Sequence, residues 1–207
     1  MANDLYIPPE AQALLDHWCG DGLARGWPSE SRDQLWFGFN PEQDEALRRH
    51  YGALVEQALA GGLTDWSATP LGRLALVLLL DQLTRNLFRR QPRAFAGDPR
   101  AQALTLEAIA TGEDEGLPVV GRVFLYMPLL HAESLALQDE AVRRFERLRE
   151  QAPAFCHAEL DDNLRYARLH RDIVARFGRF PHRNEALGRD STAEERAFLT
   201  DGPRFGQ

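Results

Sequence analysis

The chain has 207 residues, 44% of them hydrophobic and 27% charged, a length and balance that suit one globular domain able to bury a core without staples. Its 31 acidic residues outnumber 24 basic ones, for a net charge of −7. That balance excludes a general nucleic-acid binder, which needs a basic face to neutralise phosphates. Every basic residue is arginine, so Schiff-base and lysine-nucleophile chemistry are excluded as well.

Cys19 and Cys156 are the only cysteines, without CxxC or any other zinc-type spacing, so the expectation is two buried free thiols and no metal or cofactor. The start, MANDLYIPPE, lacks the basic and apolar regions of a secretory signal. The longest apolar run, LALVLLL at 74–80, is far below the roughly 18 residues of a membrane span. A cytoplasmic protein with no membrane partner is expected.

Apolar residues recur at helical spacing nearly throughout, and no segment alternates with period two, so the chain reads as all-α. A first helix falls near 9–19 and ends at Gly20 and Gly22. A loop then leads to LWFGFNP, where Trp36, Phe37 and Phe39 are expected to pin the chain to the core. The second helix starts after Asn40-Pro41 and stops at Gly61-Gly62. A third, over about 70–90, is apolar on every side in its first half, as a central buried helix is. The fourth is expected to be capped by Asp98, with Pro99 at its first position, and to finish at Gly112. Helices over about 119–131, 134–151 and 156–177 follow, then a corner, then a short helix opened by a capping box, Ser191-x-x-Glu194. Seven to eight antiparallel helices with short connectors result, one domain over 1–207.

Three blocks place polar groups where a core should be. In DQLTRNLFRR, Asp81, Arg85 and Arg89 stand four residues apart on one stripe, flanked by Gln82 and Asn86. The stripe is either an internal ladder of ion pairs or a place for a carboxylate or phosphate. In LYMPLLHAESLALQDE, His131 and Glu133 sit where one helix breaks and the next begins. Their i, i+2 spacing diverges on a helix and makes no metal site. His170 lies at the edge of the apolar face of the 156–177 helix and points partly inward. The corner FGRFPHRN follows, where Gly178 and Pro181 explain the stop and Arg179 can cap the last carbonyls. His182, Arg183 and Asn184 exceed what a turn needs.

The stretches DQLTRNLFRRQPRAFAGDPRA (81–101), FLYMPLLHAESLALQDEAV (124–142) and HRDIVARFGRFPHRNEALGRDSTAEERAFL (170–199) resemble the bacterial family of domain of unknown function 924. Weaker matches, LLDHWCG and DEALRRHYGALVEQALAGGLTDW (44–66), extend the likeness over nearly the whole chain. The resemblance implies an all-α, tetratricopeptide-like (TPR-like) superhelix of helix pairs and assigns no activity. It carries over Asp81, Gln82, Arg85, Asn86, Phe88 and Arg89 from the first block, and His131, Glu133 and Gln138 from the second. The third contributes His170, Arg171, Asp172, and Phe177 through Asn184. Leu83-Thr84 stands where the family usually reads Phe-Pro, which implies a straighter third helix, and Cys19 replaces an aromatic residue.

Three functions fit these residues. In the first, the blocks converge into a polar Asp/His/Arg cleft for a small anionic or zwitterionic ligand, with Arg85, Asn86, Arg89, Arg179, His182, Arg183 and Asn184 binding. His131 or His170 would be general base, with Asp81 or Glu133 orienting it. No nucleophile elbow, P-loop or metal motif identifies a reaction, so whether the chain is an enzyme stays open. The second is a protein or peptide interaction module, supported by fold analogy alone. The third makes the blocks a buried structural network that only specifies packing. Geometry discriminates, because a ligand site needs the blocks together and incompletely paired.

Overall fold

The computed structural model describes residues 6–205, and every regular element among them is helical. α1 (Pro9–Cys19) is followed by two single turns, α2 (Gly22–Arg25) and α3 (Asp33–Phe37). α4 (Pro41–Leu59) starts at Asn40, whose side chain accepts from the backbone N–H of Glu42 and Gln43. α5 (Pro70–Val77) is capped by Thr69 and runs without a break through a π-helical stretch, Leu78–Leu83, into α6 (Thr84–Leu87). α7 (Asp98–Thr111), α8 (Val119–Leu130), α9 (Leu135–Gln151), α10 (His157–Phe177) and α11 (Ala193–Asp201) follow. With α5 and α6 taken as one rod, and α2 and α3 set aside as single turns, eight longer helices remain among the described residues.

The α5–α6 rod is the centre of the fold. Leu74 to Leu80 are all at most 1% exposed, and α1, α4, α7 and α8 all pack on the rod. Full burial of each leucine contributes about 1.5–3 kcal/mol, so this helix holds its neighbours rather than the reverse. α8 is buried from Val120 through Leu130. α9 packs on α8, and α10 pairs most extensively with α9. Around the end of α10 a smaller apolar cluster forms from Ile173, Val174 and Phe180, with Phe177, Phe198 and Phe205 against it. Cys19 and Cys156 are free and buried, and burial pushes the Cys19 thiol up to about 12.

Several local expectations are corrected. The third helix ends at Leu87, and Arg90 turns the chain with φ +60°, so Arg89 lies beyond the helix and leaves the stripe of Asp81 and Arg85. The rod is π-helical over Leu78–Leu83, not a regular α-helix made straighter by the missing proline. Gly97, not Asp98, stands at the cap of α7, because a Cβ at 97 would lie 2.1 Å from the Leu80 carbonyl. The final capping box is Thr192 with Glu195, one residue later than expected, since Asn184 engages the Ser191 hydroxyl. Trp36 is buried and donates to the Trp18 carbonyl, but Phe37 and Phe39 are 57% and 66% exposed and pin nothing.

Candidate functional site

A chain of charges joins three helical elements that are remote in sequence. Asp81, fully buried on the π-helical stretch, accepts from His131 Nδ1 at 2.7 Å, Gln82 Nε2 at 2.6 Å and Arg85 Nη1 at 3.2 Å. Arg85 also reaches both oxygens of Asp98, at 2.9 and 3.0 Å, a fork-to-fork pair suited to guanidinium and carboxylate. Arg183 Nη1 meets Asp98 Oδ2 at 3.2 Å and Nη2 meets the His131 carbonyl at 2.9 Å. The Arg183 guanidinium lies 4.6 Å from both the Phe95 and Phe180 ring centres, between two π faces that favour a cation.

Burial alone would raise the Asp81 carboxyl, but His131, Arg85 and the hydrogen bonds to it hold it well below the ordinary carboxylate range. An ionised Asp81 requires the proton of His131 on Nδ1, leaving a lone pair on Nε2. Burial and the Arg85 charge push His131 below its usual value. His170 points Nδ1 at the Tyr166 carbonyl, 2.8 Å away, so its Nε2 is the lone-pair nitrogen too. Its ring centre is 6.1 Å from that of His131. Burial, then His131, push His170 down to about 3. His182 is pushed down to about 2 by burial and Arg183. Arg183 itself is lowered to about 10 by burial and Arg85 and remains charged at neutral pH.

Asp81, Arg85 and Asp98 are fully engaged with one another and with Arg183, but Arg183, at Nε, and the imidazoles keep unpaired nitrogens. Among the described residues, neither His131 Nε2 nor His170 Nε2 has a hydrogen-bond partner, and His182 has none at either nitrogen. Arg183 Nε is buried without an acceptor. Beside His182 opens a cavity of about 340 Å³ lined by Pro181, Glu185, Ser191, Arg196, Thr200 and Arg204 among others.

The remaining candidate residues lie in two other networks. Asn86 and Arg89 both bind Asp44 of α4, at 2.8 Å and 2.6 Å. Glu133 accepts from Arg189 at 2.6 and 2.8 Å and from the Phe180 backbone N–H at 2.8 Å, so it orients no histidine. Arg179 forks onto Glu195, at 2.7 and 2.9 Å, instead of capping α10, because an ionised carboxylate outcompetes a carbonyl. Asn184 contacts Ser191 and Glu195. The hydrogen bond from Arg179, with those from the Thr192 backbone and Asn184, overrides the opposing effect of burial and holds the Glu195 carboxyl down at about 2. Gly178, with φ +69°, ends α10 and turns the chain so that Arg179 and Arg183 serve different networks. Among the described residues no group of three or more His, Cys, Asp or Glu could hold a metal ion.

Sequence reasoning missed Asp98, Asp44, Arg189 and Glu195 as partners. Asp98 gives the one usable signal: an acidic residue before Pro99 reads as a cap, yet it is also the carboxylate nearest in sequence to the Arg85 block.

No curated protein matches the chain. The solved structure of a protein of unknown function from Agrobacterium tumefaciens is similar, with 35% identity and a TM-score of 0.76 over 93% of this chain and 97% of that one. The family model described as "Bacterial protein of unknown function (DUF924)" matches residues 14–203. With nearly the whole length matched, the chain belongs to the DUF924 family.

Proposed function

We propose that this protein binds a small anionic or zwitterionic ligand where the buried Asp/His/Arg network meets the cavity beside His182. The observation that carries the proposal is the set of imidazole nitrogens on His131, His170 and His182 left without partners beside a buried arginine. The buried donor left unmet at this site is Arg183 Nε, which costs about 1–3 kcal/mol unless a ligand or water meets it. Neutral imidazole nitrogens accept from an ammonium or hydroxyl, and the Arg196 and Arg204 side chains at the cavity wall donate to a carboxylate or phosphate, with the Arg183 charge buried behind them. Where the ligand carries a transferable proton, His131 is the group to take it, with Asp81 fixing the tautomer and stabilising the imidazolium.

Thermal-shift screening of anionic metabolites against the whole chain tests this. A ligand at 100 times its Kd stabilises the native state by about 2.7 kcal/mol, a rise in Tm of roughly 5–10 °C at this size. His182→Ala and Arg183→Ala should each reduce the shift. A metabolite that stabilises wild type and both variants equally uses neither residue, and no shift from any anion would sink the proposal.

A further inference from the structure

The segment after α11 folds back over the histidines. Phe205 stacks on His170 with ring centres 4.1 Å apart and planes 30° from parallel, and meets His182 edge-on at 5.2 Å. Phe180 closes the same space, at 5.6 Å from His170 and 5.5 Å from His182. The slot is therefore walled by two imidazoles with unpaired nitrogens and a phenyl ring, and a flat ring fills it. Phe205 holds φ at +49°, in the left-handed region that a bulky side chain enters at a cost of roughly 1–2 kcal/mol. The backbone accepts that strain to seat this ring.

We infer that Phe205 occupies the ring subsite of the ligand site, and that the ligand is a planar-ring acid, an aromatic or heteroaromatic ring bearing a carboxylate or phosphate, which displaces it. This rests on the proposed ligand site and adds the chemical class. Three features agree. An aromatic ring stacked on an imidazole is a contact any flat ring can replace. Among the described residues, His170 Nε2 and both His182 nitrogens meet no hydrogen-bond partner while a phenyl ring lies over them, whereas a heteroaromatic ring offers donors and acceptors at its edge. The cavity bordered by His182 carries Arg196, Arg204 and the Ser191 and Thr200 side chains against one carboxylate, Glu185, so two guanidinium groups are at hand for an acidic group on the ring without entering the Asp98 pairs. Arg204, next to Phe205, lines the same cavity and moves with it when the segment lifts.

The test uses full-length wild type, Phe205→Ala and Phe205→Leu, with phenylphosphonate and inorganic phosphate as probes followed by calorimetric titration. Emptying the slot removes the internal competitor, so Phe205→Ala should bind phenylphosphonate up to about 10-fold more tightly than wild type, with phosphate affinity unchanged. Phe205→Leu, which fills volume without stacking a ring, should fall between. Phenylphosphonate binding that is equal in wild type and Phe205→Ala, or phosphate that tightens to the same degree, overturns the inference and leaves the ligand site standing. Binding of neither probe to any form overturns the ligand site itself. Should Phe205→Ala fail to fold, the His170 ring-proton resonances of wild type decide. Phenylphosphonate should remove the shift imposed by the stacked Phe205 ring and phosphate should not, and an unmoved resonance in saturating phenylphosphonate rejects the displacement.

Discussion

Asp98 is the residue on which two cations depend. Arg85 retains Asp81 when Asp98 is neutralised, but Arg183 keeps only the His131 carbonyl. Breaking a buried pair from one side costs about 3–5 kcal/mol, and Asp98→Asn should show a loss of that order in urea denaturation. Asp139→Asn, which removes a half-exposed partner of Arg171, should change stability by no more than about 0.5 kcal/mol. A cost below about 1 kcal/mol for Asp98→Asn would mean the two guanidinium groups find water instead. The residue types at this site were legible in the sequence because Asp81, Arg85, His131, His170 and Arg183 are too polar for the apolar neighbourhoods that surround them. Their pairing was not, because Asp98 and Arg183 are 85 positions apart and nothing local records which carboxylate a buried arginine meets.

Among elements, the approach of α7 to the central rod decides whether Asp98 can reach Arg85. Gly97 permits that approach, since a Cβ there would collide with the Leu80 carbonyl at 2.1 Å. Gly97→Ala must push the start of α7 outward or distort the π-helical stretch. Overpacking of this kind costs about 1–3 kcal/mol. The variant should lower Tm and lose any ligand-induced shift, and wild-type behaviour in both would show that the contact is slack. Most helix positions were legible from apolar periodicity and from caps such as Asn40-Pro41. The π-helical stretch was not, because LALVLLLDQL is apolar enough to be buried under either hydrogen-bonding pattern. The real capping box escaped for a related reason. Ser191-x-x-Glu194 and Thr192-x-x-Glu195 both satisfy the pattern, and the choice depends on Asn184 and Arg179 from outside the helix.

For the molecule as a whole, the suppressed histidines set its response to acid. His170 and His182 titrate at about 3 and 2 in the folded chain, against 6.5 ordinarily. Below pH 6.5 the unfolded chain therefore binds more protons than the folded one, so stability rises with pH through this window. Their contribution is complete above pH 6.5 and is lost progressively as pH falls toward 3. Glu195, at about 2 against 4.5, adds its own loss only below pH 4.5. Calorimetric Tm should begin to fall between pH 6.5 and 5, before carboxylates matter, and a His170→Gln, His182→Gln double variant should flatten that early limb. An early limb unchanged in the double variant would place its origin elsewhere. A bound anion should oppose this fall, since it favours the imidazolium forms.

The π-helical stretch at Leu78–Leu83 also carries information in its length. A π turn takes up one residue more than an α turn, and one residue corresponds to 100° of helix rotation. Asp81, Arg85 and Asn86 thus owe their facing relative to Leu74 and Leu76 to an added residue as much as to their own side chains. Deleting any one of Leu78, Leu79 or Leu80 would let the rod close into a regular α-helix. The residues beyond the deletion would keep their facing, because it removes the one residue that the π turn absorbs, so Arg85 would still meet Asp98 and Asn86 would still meet Asp44. Among relatives of this chain, a single-position gap in that leucine run marks a regular α-helical rod of the same phase, whereas a gap elsewhere in the rod turns the charges beyond it by 100° and makes them meet in some other order.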